Sequence, residues 1–565
     1  MATGSTKRNR KKARGDWGAK TSSSAPKRQA AEAGARRKSA GSPPEDTAFE
    51  LSGRAWLYAS VAILLVAVAL RLYASELKPL HHDEGVNGFF LTNLLRERRY
   101  AYDPANYHGP TLYYITLPFV ALTGLSTFVV RLIPELFGVG TVWLVLGLRR
   151  WIGAVAALAA AALVAVSPAF VFYSRYFIHE MPFVFFTLGL VVAALRFRET
   201  GATSDLMLAS AAAALMFATK ETAFISVGTL GLAWLSAWTW EKVKGDSRNV
   251  RGRRDGEAAG GFAKLVASGQ APVACAVAAV LFVFIWVAFY SSFFTHWKGV
   301  NDSFKAFAVW HKTGMSEFHS KPAYTYVKWL LQEDAPTLIL GSLGTLVALF
   351  ERRRNRFAVF FAAWGFGLLA AYSLISYKTP WLVLNFLLPL AVAGGYAVQA
   401  FGAWAARQWR RFQRREIVWP AAAALTAVAC GVSLYQTYVV NFVEYDNDSY
   451  PYVYSQTQRQ FLDLVGEIQR IGQRAGTKEP GLATASTDYW PLPWYFRDNS
   501  HAGYEGRLSS YYDPKSTLAV IGKEDQLPQL QRVLGDNYAR VGGIYPLRPG
   551  VNLVLYARRD LTAPQ

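Results

Sequence analysis

At 565 residues, 52% of them hydrophobic and with a mean hydropathy of +0.13, the chain is too apolar for an ordinary soluble protein and too charged to lie within a bilayer throughout. Its net charge of +21 sits in short clusters between apolar runs and in an N-terminal tail. This is the pattern of cytoplasmic membrane loops, and it argues against nucleic acid as a partner. The two cysteines, Cys275 and Cys430, fall inside apolar runs, which excludes a disulfide framework and a cysteine metal site.

Residues 1–52 are rich in Lys, Arg, Ser, Ala, Gly and Pro without apolar periodicity, and predict a disordered basic cytoplasmic tail. Its clusters, Lys7 to Arg14 and Arg36 to Lys38, either rest on anionic lipid or merely fix orientation. The first apolar run carries no small-residue cleavage site and reads as a retained signal anchor. Apolar runs at roughly 56–75, 129–148, 152–173, 181–197, 204–219, 222–240, 271–291, 335–350, 357–376, 380–401 and 417–437 predict about eleven spans in a transmembrane domain over 53–440. The stretch Leu112 to Leu122 is shorter, contains Pro118 and is closed by Gly124, which suits an interfacial or re-entrant helix.

Charge decides the topology. With Met1 inside and Leu112 to Leu122 not crossing, five basic clusters fall on the cytoplasmic side of the plasma membrane. These are Arg149–Arg150, Arg196/Arg198, Lys242 to Lys264, Arg352 to Arg356 and Arg407 to Arg415. If that stretch crossed, all of them would lie outside. The loops from about Ser75 to Phe128 and Ser292 to Asp334, and everything after about Tyr438, are then extracytoplasmic, together with all eight histidines. Residues 441–565 change character. Short β-rich runs (Leu482 to Ser486, Thr517 to Ile521, Val551 to Tyr556) flank a helical pattern at Gln526 to Val533, with a turn at Arg548-Pro-Gly. They predict a small extracytoplasmic α/β domain. Its segment Thr487-Asp-Tyr-Trp-Pro-Leu-Pro-Trp-Tyr-Phe is either a sugar-stacking surface or an aromatic plug onto the membrane domain.

Three motifs carry chemistry. After the first span stands Lys78-Pro-Leu-His-His-Asp-Glu-Gly. Two histidines and two carboxylates are costly beside a bilayer, and one carboxylate near an acceptor hydroxyl can act as general base while its neighbours orient it or hold a metal. The plainer reading makes Asp83 a helix N-cap with Glu84 favouring the dipole, which leaves the histidines unexplained. At the outer end of the third span stands Tyr173-Ser-Arg-Tyr-Phe-Ile-His-Glu, where Arg175, His179 and Glu180 are expected to converge with His81 to Glu84 on one pocket. Ser376-Tyr-Lys-Thr-Pro places Lys378 either to grip a lipid phosphate as a point charge or to snorkel. Lys220-Glu221 reads as an ion pair of structural use, and His296, His311, His319 and Lys321 are too widely spaced for a metal motif. A divalent metal (Mn, Mg or Zn) is expected at most as an option, on His82, Glu84 and Glu180.

With the outer-loop Asp83-Glu84, His108-Gly-Pro-Thr-Leu-Tyr-Tyr, Val130-Arg-Leu-Ile-Pro, Arg149-Arg and Lys378-Thr-Pro leading into Leu388-Pro-Leu, the chain resembles the GT-C glycosyltransferases. The likeness is to the family 39 branch of protein O-mannosyltransferases and aminoarabinose transferases. His-His-Asp-Glu-Gly, Tyr107-His-Gly-Pro, Tyr450-Pro-Tyr-Val-Tyr-Ser-Gln-Thr and Asp488-Tyr-Trp-Pro-Leu-Pro-Trp-Tyr are similar to a prokaryotic subfamily described as flippase-associated membrane proteins. The resemblance covers about residues 55 to 500 and implies an outward-facing membrane site that transfers a sugar, with inversion, from a polyprenyl-phosphate donor to a glycan, lipid or protein acceptor. It implies Asp83 as base and Lys378 as a ligand of the donor phosphate. Glu84 and Glu180 are expected to share in catalysis with Asp83, and Arg175, His82, Tyr107 and His108 to complete the substrate site with Lys378. The competing class is a non-catalytic flippase or transport accessory for lipid-linked sugar. Transporters place polar residues at mid-bilayer and show internal repeats, whereas these motifs gather at one face and no repeat is visible.

Overall fold

The computed structural model describes residues 51–244, 261–314, 320–351, 355–410 and 418–562. The expected basic tail, much of the Lys242 to Lys264 cluster and His319 lie outside them. Eight helices among the described residues are long and apolar enough to cross a membrane: Gly53–Leu72, Thr127–Ile152, Glu180–Thr200, Ala223–Val243, Ala271–Tyr290, Arg356–Leu374, Pro380–Gln408 and Pro420–Val443. Two bent pairs, Ala154–Val166 with Pro168–Ser174 and Thr325–Glu333 with Ala335–Phe350, raise the number to ten if each is one span. The remaining expected span is the 15-residue helix Thr203–Phe217, about 22 Å long and short of a full crossing. The stretch with Pro118 forms the helix Thr111–Thr123, also too short to span.

The two bends share one cause and one partner. Pro168 and Pro336 each stand in the first turn of the second helix of a pair, where a missing N–H costs nothing, and the N-cap residues Ser167 and Asp334 leave the helical region. Asp334, at the 113° bend, accepts from Ser167 Oγ at 2.8 Å, from the Ala169 N–H at 3.3 Å and from Tyr452 Oη at 2.9 Å. One buried carboxylate thus caps the helix that follows the other break.

Burial separates the helices into two kinds. The span Pro380–Gln408 is the hub, with 94% of its apolar window buried, whereas Gly53–Leu72 and Ala271–Tyr290 bury only 17% and turn Leu57, Leu65, Val273 and Val280 outward, as helices against lipid do. Close approach to the hub depends on small residues: a Cβ on Gly344 would stand 1.8 Å from the Ala393 carbonyl oxygen.

After Val443 the chain builds a five-stranded sheet of order β2-β1-β3-β5-β4, with β1 Leu482–Thr484, β2 Ala502–Gly503, β3 Ala519–Lys523, β4 Tyr538–Arg548 and β5 Val551–Arg558. The β1 pairs are parallel and the β5 pairs antiparallel. Alternation sorts the side chains. Ile521, Leu553 and Leu555 meet the helix Phe461–Arg474 on one face, and Val520, Val554 and Tyr556 meet Leu530 and Leu534 of the helix Leu527–Leu534 on the other. The expected runs became β1, β3, β5 and that second helix. The 11-residue β4 was not expected, because Gly542, Gly543 and Pro546 interrupt its pattern and bulges follow at those points. This layer is tied to the helical bundle by an aromatic plug. The Trp494 indole N–H donates to Thr127 Oγ1 at 3.1 Å, and its ring lies so close to Gly88 that a Cβ there would sit 2.4 Å away.

Candidate active site

The helix His82–Glu97 opens with a capping box that assigns opposite fates to adjacent acids. His81 is the N-cap: its Nδ1 accepts the Asp83 N–H at 3.1 Å, while Glu84 Oε2 accepts the His81 N–H at 2.9 Å. Asp83 is therefore not the cap, and its side chain is left 41% exposed. Glu84 is fully buried. Arg131 grips it in a fork, Nε to Oε1 at 2.8 Å and Nη2 to Oε2 at 2.7 Å, and the Phe177 N–H adds a bond at 3.0 Å. The same guanidinium donates to the carbonyls of Ser75, Lys78 and Pro79, so it fixes the whole turn that presents His81 to Asp83. Burial opposes charge on Glu84, but Arg131 and the backbone donors outweigh it and hold the carboxyl below its usual range.

Asp83 lines a cavity of about 530 Å³ together with His81, His82, Tyr107, His108, His179, Glu180, Lys220 and Glu221. The far wall comes from Tyr377, Thr379, Trp381, Tyr454, Ser455 and Arg548. Glu180 opens its span as the first helical residue and forms a buried ion pair with Lys220. Glu221 pairs with His108 Nδ1 at 2.9 Å, leaving its second oxygen without a partner. Lys220 and Glu221 are thus paired across the wall rather than with each other. Burial opposes charge on Lys220, but Glu180 and Glu221 raise its pKa; burial likewise opposes Glu221, which His108 and Lys220 hold low. His179 donates Nε2–H to the Gly109 carbonyl at 3.1 Å, and burial, then His108 and Lys220, keep it neutral well below the ordinary histidine value. Of these four acids Asp83 alone has no cation or histidine side chain within hydrogen-bond distance among the described residues; its nearest is His81 Nδ1 at 3.9 Å.

The expected convergence of the first and second outer loops is found for His179 and Glu180, but Arg175 and Glu84 point elsewhere. Arg175 is buried outside the cavity lining, donating to the Ala74 and Asn441 carbonyls with its guanidinium 4.5 Å from the Phe442 ring centroid. It is a strut between spans, not a ligand group in the cavity. Lys378 is also just behind the lining. Its Nζ donates to the Ile375 carbonyl, and it lies near Lys321, which together with burial lowers its pKa. Neither lysine has a carboxylate partner among the described residues. Lys321 reaches over the ring of the cavity residue Tyr454 at 5.1 Å, and its N–H is held by the Ser376 carbonyl at 3.1 Å.

The metal option on His82, Glu84 and Glu180 does not fit. Both Glu84 oxygens are occupied by Arg131 and backbone N–H groups, Glu180 is neutralised by Lys220, and His82 Nδ1 faces Arg548. Among the described residues no three His, Cys, Asp or Glu side chains are grouped to hold a metal. Sequence reasoning gave no role to Lys321, Trp381 or Arg548. Their signals were there but faint: an X-Lys-Pro in a loop, the residue after Lys378-Thr-Pro, and a turn read only as a turn.

Residues 107–244 match the family model described as dolichyl-phosphate-mannose-protein mannosyltransferase. This region supplies Tyr107, His108, Glu180, Lys220 and Glu221. Over 91% of its length the structure superposes on all of ArnT from Cupriavidus metallidurans bound to undecaprenyl phosphate, with a TM-score of 0.57 and 14% identity. The chain has the GT-C glycosyltransferase fold. The Archaeoglobus fulgidus oligosaccharyltransferase with a tethered acceptor peptide is similar over 86% of this chain and 70% of its own, with a TM-score of 0.54 and 13% identity. No curated protein matches the chain in sequence. On the GT-C fold the expected architecture holds: a polytopic helical membrane domain followed by a small sheet domain.

Proposed function

We propose that the chain transfers a sugar from a polyprenyl-phosphate donor to an acceptor hydroxyl, with Asp83 as the base, on the extracytoplasmic face of the plasma membrane. The observation that carries the reading is one half-exposed carboxylate with no cation or histidine within hydrogen-bond distance, in a cavity whose other acids are each held by Lys220 or His108, on a fold shared with a protein that binds undecaprenyl phosphate. The acceptor oxygen attacks the anomeric carbon as its proton passes to Asp83. The bond from that carbon to the donor's phosphate oxygen breaks, and polyprenyl phosphate departs with inverted sugar stereochemistry left behind. Lys378 and Lys321, two cations without acid partners at the cavity's edge, stabilise the charge that grows on the leaving phosphate. Tyr107 and His108 line the substrate space, His108 anchored by Glu221. The outward orientation rests on the basic clusters assigned to the cytoplasmic side.

The test compares cells lacking the chain with cells carrying Asp83→Asn, by mass spectrometry of their lipids and glycans. The same unspent lipid-linked sugar and the same missing modification are expected in both. A normal profile in Asp83→Asn cells places the base elsewhere. Loss of the sugar's outward passage rather than of its transfer would favour a flippase accessory.

A further inference from the structure

The sheet domain sends Arg548 into the cavity, and the transfer reaction outlined above gives it no task. Arg548 is the last residue of β4, immediately before the Pro549-Gly550 turn, where Gly550 at φ +76° reverses the chain. Its guanidinium is held at two points. One nitrogen pairs with Asp488, whose second oxygen takes Lys523 Nζ at 2.9 Å. Another lies 3.3 Å from Nδ1 of His82.

A guanidinium has five N–H donors and no acceptor, so this contact is donation to an unprotonated Nδ1. The imidazole is then neutral and its proton sits on Nε2, a nitrogen with no partner among the described residues. His81 reaches the same tautomer by a different route. Its Nδ1 is taken by the Asp83 N–H, and its Nε2 is buried at the cavity wall without a partner. The two adjacent histidines thus have spare donors and no spare acceptor, with the exposed carboxylate of Asp83 next to them.

We infer that Arg548 is a positioning residue that fixes His82 as a neutral Nε2–H donor, so that His82 and His81 offer hydrogen bonds to the oxygens of a hydroxylated substrate, a sugar ring, beside Asp83. The substrate class rests on the transferase reading; the tautomer does not. The groups facing His82 are His81 and Asp83 on its own helix turn, and Asp488, Arg548 and the edge of Trp490 from the sheet domain. Burial, helped by His81 and Arg548 against the two aspartates, brings its pKa down to about 4, so the neutral form persists through the physiological range. His82 has no lone pair left for a proton and cannot compete with Asp83 as base. A domain more than 400 residues further along the chain therefore completes the site.

The experiment is ¹⁵N-histidine NMR on the full chain in lipid nanodiscs, with His82→Gln identifying the His82 signals. In the parent, His82 is expected to show an unprotonated Nδ1 and a protonated Nε2, and to stay neutral from pH 8 to below about pH 5.5. In Arg548→Met the two tautomers should interconvert, and protonation should move up toward the ordinary histidine value, with burial still holding it below that value. A parent His82 carrying its proton on Nδ1 overturns the inference, as does an unchanged titration in Arg548→Met. If that variant does not fold, the parent spectrum still decides. No donor or acceptor is present, so this result and that of the lipid and glycan comparison can fail independently.

Discussion

Two acidic regions meet in the cavity, and they have been solved in opposite ways. At the turn before the helix His82–Glu97, one acid is locked by Arg131 and its neighbour is left 41% exposed. Across the cavity, Glu180 and Glu221 are each matched with a cation-forming partner, Lys220 and His108. The difference teaches how to tell structure from chemistry where every residue type looks functional. Buried acids held by a cation-forming partner within hydrogen-bond distance brace the walls, and the exposed acid without one is the candidate to take a proton. Glu84 and Asp83 are neighbours in sequence, but consecutive helix residues project about 100° apart, so one turns to Arg131 and the other to the cavity.

That comparison can be broken in four places. The largest effect is expected at Arg131. Arg131→Met strands the buried Glu84 carboxylate and releases three carbonyls, and should cost about 3–5 kcal/mol, read as a lower unfolding midpoint in detergent. A variant as stable as the parent would mean that Glu84 is not the structural half of the pair. Next comes Asp83→Asn, which should lower the transfer rate by about two orders of magnitude or more while the unfolding midpoint and the binding of undecaprenyl phosphate stay near parental. If Glu180→Gln matches that loss without destabilising the protein, the division between the two regions fails.

The phosphate side gives a smaller change. Charge-assisted bonds are worth about 1.5–3 kcal/mol, so Lys378→Met should weaken undecaprenyl phosphate binding by about tenfold or more, and adding Lys321→Met should weaken it further. Unaltered binding by the double variant in nanodiscs reduces both lysines to snorkelling groups. Smallest is the pH response. His82 is depressed to about 4 and His179 is also lowered, so the unfolded chain takes up their protons near pH 6.5 while the folded one does not. The unfolded state binds more protons in that window, so stability is full above about pH 6.5 and falls as pH drops toward 4; Glu84, also depressed, adds a further loss below its ordinary value near 4.5. A midpoint that stays flat between pH 7 and pH 5 contradicts the burial of neutral histidines, and His82→Gln should remove part of the slope.

Much of the fold was legible in the sequence, because spans announce themselves by length and apolarity. Every expected run is helical, and the departures in number lie where Pro168 breaks a run or where Ala335–Phe350 and Thr203–Phe217 are short. The location of the site was legible too: His81 to Asp83, Tyr107–His108 and His179–Glu180 do line one cavity. Partners were not legible. Arg131 lies 47 residues from Glu84, and Arg548 lies 466 from His82. Which guanidinium reaches which acid depends on helix rotation and packing, which composition and spacing do not encode. Arg175 shows the cost of reading adjacency as orientation, since it stands four residues from His179 and faces the Ala74 and Asn441 carbonyls instead. The aromatic segment 487–496 shows the same limit: Trp494 plugs into the helical layer, while Trp490 sits edge-on to His82.

The carboxylate of Asp334 has a consequence for how the protein is made. The helix Pro168–Ser174 is capped at the Phe170 N–H by its own Ser167, but its Ala169 N–H and the Ser167 hydroxyl are taken by a carboxylate 165 and 167 positions later, and Asp334 itself is satisfied by Tyr452, another 118 positions on. At ribosomal speeds of about 5–20 residues per second, the early helix must wait on the order of ten seconds with its Ala169 N–H unmatched until Asp334 is synthesised, and longer until the tyrosine arrives. The fold therefore cannot settle span by span in the order of insertion. A membrane chaperone or a lipid headgroup that satisfied that amide in the interval would act on the nascent chain and leave no trace in the finished protein.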